Sequence, residues 1–396
     1  MRPGIRRAGP AYHILLRKPD AGKGEFGLRR RKVCVYAICK NEEGFADRWM
    51  DSMREADRIV VTDTGSSDRT VERLRARGAE VFSDEIAPWR FDAARNRSLD
   101  HVPEDMEVCV CTDLDETFNR GWRACLERAW TPGTTMGKYL YNWSVRPDGA
   151  PGIQFRSFKC HERRSYRWTY PVHECLAYVG SGPQRTIFIP GMVLSHYPDP
   201  NKSRGSYLPL LETAVAEHPE DDRMRYYLGR EYLYRGRWRD CIDTLLRHLA
   251  LPGATFREER CASMRWIALS YFRLGRTAEA YRWYHRAIAE APHLRDPYVE
   301  FAQAAYRLGD WPTVFCMTEA ALKIGERSPV YVNSASAWDS TPHDLCAIAC
   351  YRLGMFERAC EHARAALSIS PRDPRLKNNL KLIRLKLPAE RAFPQK

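Results

Sequence analysis

The chain has no long hydrophobic run. No stretch of its 396 residues approaches 18 uninterrupted apolar positions, the length that would mark a transmembrane helix, so no segment is expected to span a membrane. Its basic N-terminus is not followed by an apolar core, so no secretory signal is expected. There is no G-x-x-x-x-G-K-[ST] to cradle a triphosphate, which argues against a P-loop ATPase. The P-C-x-x-C of the zinc-dependent base deaminases is missing as well. Cys160-His161, His173 and Cys175 lack a C-x₂₋₄-C spacing, so core thiols are expected there rather than a zinc site.

What is present is an ordinary globular composition, 44% hydrophobic and 29% charged. A chain of this length exceeds the usual single core, and two domains are expected. The thirteen cysteines are an odd number. Cys34, Cys39, Cys109, Cys111, Cys346 and Cys350 sit inside apolar patterns, which suggests reduced, buried thiols and a cytoplasmic setting. The formal net charge is +13, and +8 of it lies in residues 1–32. Residues 1–31 read as a basic, disordered tail. That tail is either a solvated leader or a contact for nucleic acid or anionic lipid.

From Lys32 onward short strands and helices alternate. Val33–Cys39, Arg58–Asp63, Ala79–Phe82 and Met106–Thr112 read as strands. Helices are expected after Asn41-Glu42-Glu43, after Ser67-Asp68 with one of that pair as cap, and over Asp92 to about Asp100. Such alternation implies a mostly parallel α/β sheet. Beyond about residue 137 the pattern turns β-rich, with Tyr139–Val145, Ile153–Lys159 and Thr186–His196, and suggests a mixed sheet. Asp113-Leu114-Asp115, with Glu116 behind it, ends the fourth strand. Carboxylates two residues apart project to one side of a strand. They would lie where open α/β sheets bind ligands, and paired hard oxygens there can hold a divalent cation against a diphosphate.

Ile38-Cys-Lys-Asn-Glu-Glu43, Val60-Val-Thr-Asp-Thr-Gly-Ser-Ser-Asp-Arg-Thr70, Phe91-Asp-Ala-Ala-Arg-Asn96 and Thr112-Asp-Leu-Asp-Glu116 occur in this order. Together they resemble family 2 glycosyltransferases of the GT-A fold. The resemblance is closest to the branch in which tetratricopeptide repeats follow the catalytic domain, a branch that includes peptide S-glycosyltransferases. It covers about residues 32–205. It implies that Asn41, Glu42, Asp63, Arg95 and Asn96 line the nucleotide-sugar pocket, with Asp63 at the base. Asp113 would lie near ribose and metal, and Asp115 would ligate Mn²⁺ or Mg²⁺. The family's commoner Asp-Asp-Gly-Ser is Asp63-Thr64-Gly65-Ser66 here.

The same resemblance makes Glu174, in Tyr170-Pro-Val-His-Glu-Cys175, the base that deprotonates the acceptor, with His173 orienting acceptor or metal. As plain strand neighbours, the two would face opposite sides. His196 is the expected third metal ligand, and imidazole suits Mn²⁺ beside carboxylates. Lys202 and Arg204 follow where cations could meet the diphosphate. Thr64-Gly65-Ser66-Ser67 is either a phosphate cradle or a simple turn.

After a connecting helix over 206–217, residues 218–396 repeat. Gly236, in Tyr234-Arg-Gly236, and Gly275, Gly309 and Gly354, each in an Arg-Leu-Gly context, recur at spacings of 39, 34 and 45. This is the tetratricopeptide pattern, with a period near 34. Asp373-Pro374 should cap a final helix over Arg375–Leu387 that closes the solenoid. The expectation is a GT-A α/β domain followed by an all-α repeat domain. The chain would then be an inverting, metal-dependent transferase, moving a sugar (a UDP-hexose by resemblance) to a peptide, protein or glycan acceptor recruited by the repeats, which could also mediate a homodimer. The alternative is a catalytically inactive scaffold whose repeats bind proteins.

Overall fold

The computed structural model describes residues 30–146, 149–199, 205–328 and 330–387. The basic tail lies outside these residues except at its end. There Arg30 pairs with Asp57, Arg31 with Glu107 and Lys32 with Asp105. The chain divides into two compact units. One takes in the residues up to Ser83, Ser98–Tyr166 and Tyr178–Tyr197, and the other takes in Asp84–Arg97, Arg167–Ala177 and the residues from Pro198 onward.

The first unit is built on β1 (Val33–Cys39), α1 (Glu43–Met53), β2 (Arg58–Asp63), α2 (Thr70–Ala76), β3 (Glu80–Ser83), α3 (Phe91–His101, shared with the second unit) and β4 (Val108–Cys111). It continues through β5 (Glu116–Phe118), α4 (Trp122–Ala129), β6 (Met136–Asn142) and β7 (Gln154–Glu162), and ends on β10 (Thr186–His196). Between β7 and β10, β8 (Tyr166–Thr169) and β9 (Cys175–Tyr178) form a separate two-stranded pairing across which the division runs.

Eight strands make one sheet in the order β3-β2-β1-β4-β7-β6-β10-β5. β1 to β4 are mutually parallel, β7 runs antiparallel to both β4 and β6, and β6 pairs parallel with β10. The parallel strands read as continuous Val/Cys runs because they are covered throughout; every residue of β4 is buried. Trp49 and Met53 of α1, Trp122 and Leu126 of α4, and Val35, Val61 and Val110 share one core. Each such fully buried side chain contributes about 1.5–3 kcal/mol. The mixed sheet expected from the sequence is present.

In the second unit, α5 (Tyr207–Glu217) precedes helical pairs: α6 (Asp222–Tyr234) with α7 (Trp238–Ala250), α8 (Arg257–Arg273) with α9 (Thr277–Glu290), α10 (Asp296–Leu308) with α11 (Trp311–Leu322), and α12 (Thr341–Arg352) with α13 (Phe356–Ile369). α14 (Pro374–Arg384) follows, and the Asp373 carboxylate accepts the Arg375 and Leu376 N–H groups at its start. Gly236, Gly275, Gly309 and Gly354 fall just after the first helix of each pair, at φ of 68°, 75°, 73° and 78°. A left-handed residue ends a helix and turns the chain, and glycine adopts it without a Cβ penalty. The sequence period therefore reflects a repeated turn geometry.

Candidate functional site

The acidic cluster grows from the end of β4. Asp113, Leu114 and Asp115 form the turn between β4 and β5, in which Leu114 and Asp115 are both buried. Trp49 donates its indole N–H to Thr112 Oγ1 at 3.0 Å and fixes the strand end. Glu116 is buried in β5; its Oε2 accepts the Asp113 N–H at 2.9 Å, and its Oε1 accepts the Tyr141 hydroxyl at 2.7 Å. Burial pushes the Glu116 carboxyl above its ordinary range, the Lys159 ammonium opposes this, and Asp113 adds to it. Lys159 Nζ sits 3.2 Å from Asp113 Oδ2 and 3.5 Å from Glu116 Oε1.

The antiparallel register sets His196 of β10 opposite Glu116. Its Nδ1 is 3.1 Å from the Trp143 carbonyl, and its Nε2 is 3.4 Å from Asp115 Oδ2. A carbonyl only accepts, so Nδ1 carries the proton. In the neutral ring, the Nε2 lone pair then faces a carboxylate. That arrangement calls for a positive charge between them, either a proton or a cation. Burial alone would lower the imidazole pKa, but the hydrogen bond and charge of Asp115 outweigh it and the pKa is raised. Asp113 does not join this pair closely. Among the described residues, the trio of His, Cys and carboxylate side chains whose ligand atoms all lie within 4.8 Å of one another is Glu319, Cys346 and His362, far along the sequence. Of the three expected ligands, Asp115 and His196 lie together, while Asp113 faces Lys159.

At the β2 end, Asp63 is buried and closes its own turn by accepting the Gly65 N–H at 3.3 Å and the Ser66 N–H at 3.1 Å. Asn41, at φ 55°, accepts the Ser67 N–H at 2.7 Å, and Glu42 donates its N–H to Thr70 Oγ1. The amides of Thr64-Gly65-Ser66-Ser67 are therefore satisfied within the protein, Thr64 by the Cys39 carbonyl, and the segment is a turn. The cap expected at Ser67 or Asp68 is corrected in part. α2 begins at Thr70 after Arg69, while Asp68 accepts N–H groups from both Thr70 and Glu43.

Arg95, Asn96, His173 and Glu174 belong to the second unit. Arg95 Nε lies 2.5 Å from Glu174 Oε1, with both side chains largely buried, and the guanidinium stands 5.2 Å over Trp168. The expected pocket arginine and the expected base are thus partners in one ion pair. Asn96 clamps Trp168 through both backbone groups, at 2.9 Å each. His173, at φ 51°, packs tilted by 30° on Tyr227 with ring centroids 4.2 Å apart, and its carbonyl accepts from Arg223. Its left-handed backbone precedes β9 and breaks strand alternation, so the plain strand-pair reading fails. Lys202 and Arg204 lie outside the described residues.

Sequence reading passed over Lys159, Tyr141 and Trp143, which contact the acidic cluster or His196. Only alternation within β6 and β7 could have pointed to them. Trp143, Phe155, Phe158 and Phe188 are exposed, and Trp143 lies 5.0 Å from His196. The rejected zinc reading of Cys160-His161 has a structural counterpart. His161 is buried, with Nε2 at 2.8 Å from the Tyr36 hydroxyl and Nδ1 at 2.9 Å from the Glu162 carbonyl.

No family model matches the chain. It is 27% identical over 219 residues to a TPR repeat-containing protein of Synechococcus elongatus (strain ATCC 33912 / PCC 7942 / FACHB-805), covering 51% of this chain and 53% of that protein. The chain thus spans about half the length of this curated relative. The helical unit is a tetratricopeptide-type repeat array. Solved structures similar to it include yeast Tom70, at 14% identity and TM-score 0.36 over 47% of this chain and 37% of that one. A thermophilic TPR protein of Thermus thermophilus is 18% identical at TM-score 0.33, over 45% of this chain and 89% of that one. Likenesses this weak say nothing about chemistry. Among the described residues, no helix is long and apolar enough to cross a membrane.

Proposed function

We propose that this protein binds a polypeptide through its tetratricopeptide-type repeats and transfers a sugar to it from a nucleoside-diphosphate donor with the aid of a divalent cation. The observation that carries the enzymatic part is the facing of the Asp115 carboxylate and His196 Nε2 across 3.4 Å. Carboxylate oxygen with imidazole nitrogen suits Mn²⁺. The parallel strand β2 also ends in Asp63, and the turn after β4 carries Asp113-Leu114-Asp115, at the edge where open α/β sheets take nucleotides.

Asp115 and His196 would hold the cation, which when bound would neutralise the leaving diphosphate as a Lewis acid. Lys159 offers a second positive charge to the same group. The buried Glu116 holds the Asp113 amide and the Tyr141 hydroxyl in place. Exposed aromatic faces such as Trp143 suit the apolar face of a sugar or a base. Transfer also needs a base to take the acceptor's proton as its nucleophile displaces the diphosphate, and Glu174, oriented by Arg95, is the residue we assign to that role.

The second reading is a protein-binding scaffold without catalysis. The curated relative is named for its repeats, which favours this reading over the enzymatic one. Lys159 supports it too, since its ammonium already compensates Asp113 and Glu116. Binding of a panel of sugar nucleotides to the purified chain, with and without Mn²⁺, separates the two. Cation-dependent binding with release of a nucleoside diphosphate supports transfer. Neither binding nor release leaves the scaffold.

A further inference from the structure

Three successive helices of the repeat array bring together side chains of metal-binding type that the proposed transfer does not use. Glu319 of α11, Cys346 of α12 and His362 of α13 place their ligand atoms within 4.8 Å of one another. His362 Nε2 lies 3.0 Å from Glu319 Oε1, and Cys346 Sγ lies 3.6 Å from the same oxygen. Donors that share one cation at bond lengths of about 2.0–2.3 Å stand at such separations.

The surroundings are those of a supported site. His343 Nδ1 is 3.0 Å from His362 Nδ1. One of those two nitrogens must donate and the other accept. With a cation on Nε2, His362 carries its proton on Nδ1 and donates it to His343, the outer contact that orients a ligating imidazole. Arg358 takes the other carboxylate oxygen, Glu319 Oε2, at 2.9 Å and leaves Oε1 for the cluster. Cys350, one turn along α12 from Cys346, is buried and in hydrogen-bond contact with it. The spacing His343-x₂-Cys346-x₃-Cys350 puts these three residues on one stripe of the helix. With no cation the same atoms also satisfy a chain of hydrogen bonds, the Cys346 thiol and His362 Nε2 both donating to the Glu319 carboxylate, and the experiment must separate the two states.

We propose that Glu319, Cys346 and His362 bind a thiophilic divalent cation, Zn²⁺ by its chemistry, with Cys350 or a water as the fourth ligand. Thiolate, imidazole and carboxylate together are a zinc donor set, and thiolate discriminates against Mg²⁺ and Ca²⁺. Binding releases the Cys346 proton to solvent, moves the His362 proton from Nε2, where it faces the Glu319 carboxylate, to Nδ1, turns His343 Nδ1 from donor to acceptor, and ties α11, α12 and α13 to one point.

The test is a Co²⁺ titration of the chelator-treated full-length protein. One equivalent should produce a thiolate-to-cobalt charge-transfer band. Cys346→Ser and His362→Gln should abolish it, and His343→Gln should weaken binding about 10–100-fold. Cys316→Ser, at an exposed cysteine of α11, should leave the band unchanged. So should Asp115→Ala, because the N-terminal pair contains no sulfur. Should the cysteine variant fail to fold, Zn²⁺ protection of Cys346 from alkylation in the wild type, read by peptide mapping, gives the answer independently. A wild-type protein with no such band, the same band in Cys346→Ser, or alkylation of Cys346 unaffected by Zn²⁺ would each overturn the site.

Discussion

His196 shows how one hydrogen bond decides a residue's chemistry. The Trp143 carbonyl holds a proton on Nδ1 and turns Nε2 toward Asp115. Replacing His196 with Gln should weaken Mn²⁺ binding at least about 10-fold, as read by titration calorimetry; an unchanged affinity would remove His196 from the ligand set. Lys159 makes the complementary case. In Lys159→Met, Asp113 and the buried Glu116 lose their shared cation, at a cost of roughly 1–3 kcal/mol in a denaturant melt. If the cluster accepts a metal, Mn²⁺ should stabilise this variant more than the wild type.

His161 gives a pH prediction at the same scale. Burial depresses its pKa from 6.5 to about 4. Above pH 6.5 folded and unfolded states both hold it neutral, and it adds no pH dependence. As pH falls from 6.5 towards 4, the unfolded chain takes up a proton that the folded one refuses, so stability is lost through that window, on the order of 3 kcal/mol in all. Melts at stepped pH should show this loss, and His161→Phe should flatten it. A wild-type stability that does not fall across the window would contradict the buried neutral assignment.

Among the elements, the most legible were those with enough residues to show a period. Val33–Cys39, Arg58–Asp63 and Thr186–His196 are strands within the bounds their residues suggested. β5 has only three residues and β8 four, too few for alternation to register, and α4 escaped notice with them. β6 and β7 are displaced from the expected bounds by up to three residues, and their mutual register shifts between Gly137 and Tyr139, which the side-chain pattern does not encode. In the repeats, the turn glycines carried the signal. Gly229 serves packing instead: a Cβ there would lie 2.2 Å from Leu245 Cδ2 of the paired helix. Gly229→Ala should therefore cost about 1–3 kcal/mol. Leu245→Ala should cost less in that background than in the wild type, and a double-mutant cycle with no coupling would refute the contact.

For the whole molecule, motif order pointed to a parallel sheet with carboxylates at its strand ends, and glycine spacing pointed to a helical array. Both are present. What the sequence could not supply is the pairing of side chains distant along the chain. Arg95 with Glu174, Lys159 with Asp113, and His362 with Glu319 depend on tertiary closure, and nothing in local spacing announces them. The grouping of Asp84–Arg97 and Arg167–Ala177 with the helices is of the same kind, since those segments lie among strand-forming residues in the sequence.

Asp115 and His196 are proposed to serve a cation-dependent transfer, and nucleoside-diphosphate release from sugar nucleotides by the purified full-length chain is the measurement that decides it. The account predicts release that requires Mn²⁺ or a similar cation and falls at least about 100-fold in Asp115→Ala, with the variant's melting behaviour preserved. A wild-type protein that neither binds nor cleaves any sugar nucleotide in the presence of Mn²⁺, or an Asp115→Ala protein as active as the wild type, would contradict it.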